Sequence, residues 1–288
     1  MRAPAIRLTV PILAIALSAC GTTQAVTPAR PSTPPPTPSP VSSPPATPTP
    51  HVTIVDAAYV AAELAGVEQG IRLPGTPVQE YANLGVRQQS AYHLLAARPD
   101  WVPAVLSAVP SSLRSVVQAN ITAAQQIDSL NGASSALPHW RIIAPPAPDV
   151  LLGYYREAQQ AYGIPWQYLA AINLIETNMG RIQGLSSAGA QGPMQFMPAT
   201  WASYGLGDVN NPHDAILAAG RYLQAHGAPS NMSRAIYAYN PSTLYVRAVQ
   251  LYAQQMFANE RAFLGYYNWE VYFQTTNGEV LLPEGFSG

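Results

Sequence analysis

The chain contains no lysine: all fourteen of its cations are arginine, which reflects coding bias more than function. Charge of either sign is scarce. Asp, Glu, Lys and Arg together make up 10% of the 288 residues, and the formal net charge is −1. That balance lacks the basic footprint of a nucleic-acid binder and excludes that class of partner. Cysteine is nearly absent. The single one, Cys20, rules out an internal disulfide and a thiolate metal cage. The five histidines (His51, His93, His139, His213, His226) are scattered, and none has the i, i+4 spacing of a helical zinc site. No metal and no cofactor are therefore expected. What the chain does have is apolar material. Hydrophobic residues reach 48%, ample for a core in one or two domains.

The N-terminus has the shape of an export signal. Arg2 and Arg7 precede an apolar run from Val10 to Leu17, too short to span a membrane comfortably. The run ends Leu17-Ser18-Ala19-Cys20-Gly21, which resembles a bacterial lipobox. An ordinary signal peptide with a chance cysteine is the alternative. The lipobox reading makes 1–19 a lipoprotein signal peptide and Cys20 the acylated first residue of the mature chain. It places the protein in the cell envelope, extracytoplasmic and lipid-anchored to a membrane. Residues 21–50 hold eleven prolines among Ser, Thr and Ala. Such a stretch cannot bury a core and should run extended, up to roughly 90 Å at about 3.1 Å per residue. Residues 20–50 then form a tether.

From His51 onward the pattern is helical. Val60, Leu64, Val67 and Ile71 recur at helix spacing. Thr76-Pro77-Val78-Gln79 reads as an N-cap, a proline at N1 and a capping-box partner, which predicts a helix over roughly 77–97. Leu113, Val116, Val117, Ile121, Ala124 and Ile127 form another stripe. Residues 131–148, rich in Gly, Ser and Pro, read as a loop and a subdomain boundary, so 51–148 is expected to be a helical extension. Asp149 then stands as an N-cap for a helix reaching Tyr162, broken by Gly163-Ile164-Pro165. A second helix should run from Pro165 to about Asn178, with Gly180 as its C-cap. Near the C-terminus, Val271, Phe273 and Thr275 alternate with polar residues, and Asn277-Gly278 precedes Glu279-Val280-Leu281. This predicts a hairpin within a C-terminal segment, 263–288.

Along the 165–178 helix, Leu169, Ile172 and Glu176 lie at i, i+3 and i+7. The spacing puts a carboxylate on the apolar face near the helix C-terminus. Lost hydration and the helix dipole both raise its pKa, as a glycosidase acid requires. The plain alternative is a glutamate that tilts into solvent or pairs with Arg181. Downstream, Gly189, Gly192, Gln195, Met194, Phe196, Met197 and Trp201 combine tight turns, an amide and adaptable apolar surface of the kind that meets sugars.

Glu176-Thr177-Asn178-Met179-Gly180, followed by Ser186-Ser187-Ala188-Gly189-Ala190-Gln191-Gly192-Pro193-Met194-Gln195-Phe196-Met197-Pro198, resembles the SLT domain of bacterial lytic transglycosylases, which are related to goose-type lysozymes. Asn211-Pro212-His213-Asp214-Ala215-Ile216, Ala219-Gly220-Arg221-Tyr222-Leu223 and Ala238-Tyr239-Asn240 match in order, and Tyr245, Val249, Tyr252 and Met256 form a closing helix. The likeness covers about 150–260, with the catalytic domain set at 149–262. Thr177 stands where Ser is common and Pro193 where Leu is common.

The resemblance implies a mainly α, lysozyme-like helical domain with an N-terminal helical extension and a short C-terminal β-hairpin. It implies peptidoglycan glycan strands as partner and a single acid/base, Glu176. Ser186, Met194, Gln195, Met197, Tyr239 and Asn240 would line the groove, Gln195 and Asn240 holding acetamido groups and Tyr239 orienting the acetyl or the glutamate. Met194 and Met197 could equally be core, and Asn240 could merely end a helix. Rival readings are a goose-type lysozyme-like hydrolase, a non-catalytic wall-binding lipoprotein, and a structural helical lipoprotein. Protein partners are not indicated.

Overall fold

A computed structural model describes residues 55–288, which belong to one compact unit. The expected signal peptide, the Cys20 anchor and the proline-rich tether lie outside the described residues. The fold is mainly α, with two small antiparallel strand pairs, as the lysozyme-like expectation required. Among the described residues no helix is long and apolar enough to cross a membrane.

Helix α1 (Ala57–Arg72) starts where the Asp56 carboxylate accepts from the Tyr59 amide, and it buries Val60, Leu64, Val67 and Ile71. Helix α2 spans Glu80–Ala97. Its start differs from the expected cap. The Thr76 hydroxyl donates backward to the carbonyls of Gly70 and Leu73, so it closes the end of α1, and a turn at Pro77–Gln79 leads into α2. A single 3₁₀ turn, Pro99–Trp101, leads into α3 (Val102–Ala108), and α4 (Ser111–Leu130) follows. Leu113, Val117, Ile121 and Ala124 of α4 are buried.

A buried polar knot joins these helices. The Glu68 carboxylate on α1 pairs with Arg72 and accepts from Gln88 and Tyr92 of α2 and Asn120 of α4. Fully enclosed, a carboxylate survives only with such a set of donors. Asn120 in turn accepts from Tyr266, which sits far along the chain on α11 (Ala262–Tyr267).

The segment read as a loop carries strand β1 (Arg141–Ile142), paired with β2 (Ile182–Gln183). Helix α5 (Pro148–Tyr162) has Pro148 at N1 and Asp149 in its first turn, with Gly163 left-handed at its end. Helix α6 (Trp166–Thr177) follows and is buried along most of its length. Short α7 (Pro198–Tyr204) and α8 (Pro212–Ala225) come next. Asn211 caps α8, its side-chain oxygen accepting from the amides of His213 and Asp214. Helices α9 (Met232–Tyr239) and α10 (Thr243–Ala258) complete the bundle.

Helix α6 packs against α10 and α5, and α10 packs on its other side against α4. One apolar core therefore runs from Val60 and Leu64 through Leu169 and Ile172 to Val249 and Tyr252. Each such aliphatic side chain contributes about 1.5–3 kcal/mol on burial. The hairpin β3 (Val271–Thr275) and β4 (Gly278–Leu282) turns at Thr276-Asn277. It forms a satellite core in which Val271 and Leu282 meet Ile142 of β1, flanked by Trp140, Phe273 and Phe286. The hairpin thus caps the β1–β2 corner.

Candidate active site

Glu176 occupies the last turn of α6, a helix whose Leu169, Ala170, Ala171, Ile172 and Leu174 are all buried. The helix ends at Thr177, within a residue of the expected Asn178, but its C-cap is Asn178 and not Gly180. Asn178 already takes the left-handed conformation (φ 51°), Met179 (φ 62°) and Gly180 (φ 88°) continue it, and the chain then swings into β2. Successive non-glycine residues at positive φ are costly and mark a segment held by its surroundings.

The Glu176 carboxylate is half-buried and, among the described residues, accepts one hydrogen bond, from the Tyr245 hydroxyl at 2.5 Å. Desolvation dominates its titration and pushes its pKa up to about 7, while the Tyr245 bond pulls the other way. Arg181 does not neutralise it. That guanidinium donates instead to the carbonyls of Trp269 and Tyr267, at 3.0 and 2.8 Å. Tyr245 is buried, and the same enclosed environment and the Glu176 charge hold its hydroxyl, like that of Tyr239, well above the ordinary phenol range.

A tight loop faces α6. Gln191 and Phe196 exchange main-chain hydrogen bonds at 2.9 and 2.8 Å, closing Gly192-Pro193-Met194-Gln195 between them. Gly192 sits at φ 71°, and a methyl group there would overlap the carbonyl oxygen of Val209. Gln195 is also left-handed (φ 50°), and its side-chain amide donates to the Gly192 carbonyl at 2.9 Å. The loop is held from two sides. The Thr177 hydroxyl and the Asn173 amide of α6 both donate to the Pro193 carbonyl, at 2.5 and 2.8 Å. Tyr155 of α5 donates to Asn173 at 2.6 Å and fixes its orientation. From the opposite side, the Tyr239 hydroxyl donates to the Met194 carbonyl at 2.6 Å.

The structure therefore brings Glu176, Met194, Gln195 and Tyr239 into one neighbourhood. Met194, offered by the sequence as groove lining or as core, stands in the core with no exposed side chain, and contributes its carbonyl. Met197 is 43% exposed at the start of α7. Ser186 is half-buried, its hydroxyl oxygen accepting from the amides of Ala188 and Ala190. Asn240 is half-buried and ends α9. Sequence reasoning did not single out Tyr245, Asn173 or Tyr155 for the site. Tyr245 was read only as one member of the closing helix stripe, and a phenol on a buried stripe gave no sign of its distant partner. A cavity of about 290 Å³ lies beside the loop, bordered by Pro145, Pro146, Gly180, Gly184, Gly192 and Pro193. Among the described residues no group of three or more His, Cys, Asp or Glu is placed to hold a metal ion.

One protonatable carboxyl in an apolar recess, with a neighbouring loop under strain, is an arrangement for donating a proton. Residues 153–260 of the chain match a known family model, described as the Transglycosylase SLT domain. That match supports a lytic transglycosylase-type domain in this stretch of the chain. The matched stretch begins within α5, ends just before α11, and contains Glu176 and the whole strapped loop. Comparison with curated proteins and with solved structures returns no match.

Proposed function

We propose that the protein is a lytic transglycosylase that cleaves the glycan strands of peptidoglycan between N-acetylmuramic acid and N-acetylglucosamine, leaving 1,6-anhydro-muramyl ends. The observation that carries this reading is the Glu176 carboxyl. It sits inside the stretch that matches the SLT family model, with a pKa pushed up to about 7 by burial, and no cation pairs with it among the described residues. Such a group holds its proton near neutrality and can give it to a leaving oxygen.

Glu176 first protonates the glycosidic oxygen, and the bond to the muramyl C1 breaks. The acetamido group of the substrate stabilises the cationic centre, since a second carboxylate nucleophile has no part in this scheme. The ionised Glu176 then takes the proton of the muramyl 6-hydroxyl as that oxygen bonds to C1. The proton returns to Glu176, no water is consumed, and the cycle closes. Acid/base work of this kind contributes about 10²–10⁴-fold. Gln195, Asn240, Ser186 and Met197 are the residues we assign to substrate contact, with Gln195 and Asn240 on acetamido groups. Tyr239 positions the strapped loop, and Met194 supports it from the core.

We further propose that 1–19 is a lipoprotein signal peptide, that Cys20 carries the lipid anchor, and that 20–50 is the tether. On this division 51–148 is a helical extension, 149–262 the catalytic domain and 263–288 the segment that caps it. The protein then works in the cell envelope outside the cytoplasm.

The deciding experiment is mass spectrometry of the products released from purified peptidoglycan by the full chain, with Glu176→Gln alongside. Anhydro-muropeptides from the parent and none from the variant support the reading. Products heavier by one water would make the protein a lysozyme-type hydrolase with the same acid. No soluble product would reduce it to a wall-binding protein.

A further inference from the structure

Helix α8 begins with an imidazole held between two carboxylates. His213, the second residue of the helix and half-buried, places Nδ1 3.1 Å from Asp214 Oδ1 and Nε2 3.1 Å from Glu157 Oε2 on α5. The Tyr154 ring of α5 meets the imidazole edge-on, with centroids 5.0 Å apart. An acceptor at each ring nitrogen suits the imidazolium, in which both nitrogens carry hydrogen. The neutral ring has one N–H and satisfies one of the two. The bond to Asp214 foremost, with Glu157 behind it, holds the pKa of His213 above its ordinary value, against partial desolvation of the ring.

The second oxygen of Asp214 extends this pair toward the site. Asp214 Oδ2 accepts from the Asp208 amide at 3.0 Å and fills the space beside Gly207, which sits at φ 83° with no room for a Cβ. The turn 205–211 is thereby tied to α8. Its other contacts lead to the strapped loop. The Val209 carbonyl lies where a Cβ of Gly192 would stand, and Gly205 lies against the Trp201 ring, which meets Phe196 at 5.6 Å. Gly192 and Phe196 belong to the segment closed by the Gln191–Phe196 main-chain bonds, and Gln195 within it donates to Gly192. A packed path therefore runs from the imidazole through Asp214 and the turn to the loop that faces α6. The charge of the ring gives that path two discrete states.

We propose that His213 is a positioning residue that clamps the 205–211 turn against the strapped loop when its ring is charged and slackens that clamp when the ring is neutral. The groups that face the ring are Tyr154 and Glu157 of α5, Asp214 of α8 and, through Asp214, Asp208 of the turn. The sign follows from the pairing. Stability from the clamp is complete below about pH 6.5, the unfolded histidine value, and is lost as pH rises through the higher folded value. The consequence for glycan cleavage rests on the reading of Glu176 as the catalytic acid; the clamp itself does not.

The test is amide hydrogen exchange by mass spectrometry on the full chain in detergent, with parent and His213→Gln compared at equal pH so that intrinsic exchange cancels. Peptides covering 191–197 and 205–211 should exchange about two- to fivefold faster in the variant at about pH 5.5, the range for an exposed charge-assisted pair, and the difference should shrink by about pH 8.5. Peptides of α4 should exchange alike in both proteins. Glu157→Gln removes the α5 carboxylate and leaves the ring in place, so it should repeat the pattern at smaller amplitude, and it decides the matter if His213→Gln does not fold. Equal exchange at about pH 5.5 would overturn the proposal. So would a difference that stops at the turn without reaching 191–197, or one equally large at about pH 8.5. In turnover, KM for a soluble glycan fragment should rise about two- to fivefold in His213→Gln at about pH 5.5 with kcat held, because Gln195 rides on the loop. An unchanged KM would overturn the positioning role. If the exchange pattern appears while the parent chain releases no product from peptidoglycan, the clamp stands and the catalytic reading falls.

Discussion

The Tyr245 hydroxyl lies 2.5 Å from Glu176 Oε1, across 69 residues of sequence, and among the described residues gives the one hydrogen bond that the carboxylate accepts. The bond favours the ionised form, so it opposes the upward push of burial. Tyr245→Phe removes the donor and leaves the packing. The Glu176 pKa should then rise further, and the alkaline fall of kcat/KM should move to higher pH. A pH profile of glycan release for parent and variant measures the shift. An unmoved alkaline limb would separate that limb from Glu176.

Glu176→Gln should abolish turnover and, above pH 7, stabilise the fold. The sign follows from linkage. The folded pKa of about 7 lies above the unfolded carboxylate value, so the folded state binds the proton more tightly. Stability from this group is complete below pH 4 or so and is lost as pH rises toward 7, by an amount on the order of 3 kcal/mol. Glutamine never ionises and escapes that loss. The difference in melting temperature between variant and parent should grow between about pH 4.5 and 7 and then level off. Melting curves across that range check it.

Thr177→Val keeps the shape and removes a donor to the Pro193 carbonyl, to which Asn173 still donates. The variant should lose about 1–2 kcal/mol by urea denaturation, with a larger proportional loss of kcat, because the strapped loop loosens. Thr177→Ser should restore most of both.

Gly192→Ala should cost more than about 2 kcal/mol. The residue sits at φ 71°, and the added methyl meets the main-chain oxygen of Val209, which cannot swing aside as a side chain could. Gly189→Ala is the comparison: it shares the positive φ (84°) and has open space around the new carbon, so it should lose about 1 kcal/mol. Thermal denaturation of the two variants separates the steric from the conformational cost.

Glu68→Ala should destabilise the protein by about 3–5 kcal/mol, because Arg72 loses its carboxylate and the donors of Gln88, Tyr92 and Asn120 lose their acceptor inside the core. The loss should appear in the whole unit as one transition, since Asn120 is bonded to Tyr266 beyond the catalytic segment. A separate early transition of the N-terminal helices would refute that coupling.

Much of the helical order was legible along the chain, because helix periodicity is a local property. The stripe Val60, Leu64, Val67, Ile71 is buried as its spacing implied, and the hairpin pairs Val271 with Leu282. The placement of Glu176 on a buried helix, near its C-terminus, also followed from spacing, and the ordered segments from Glu176 to Asn240 pointed to the SLT domain. Local signals misplaced some ends. Thr76 looked like a cap for α2 and instead closes α1, because a hydroxyl near two helix termini takes whichever carbonyls the turn presents. Strand β1 was read as loop, since two residues carry no periodicity and its partner Ile182 lies forty residues on. The tertiary structure alone decided that Tyr245 reaches Glu176, that Arg181 does not, that Pro193 and Met194 are held through their carbonyls, and that His213 reaches Glu157. Each of these depends on how one helix face is turned against another, and that is set by the packing of the whole core.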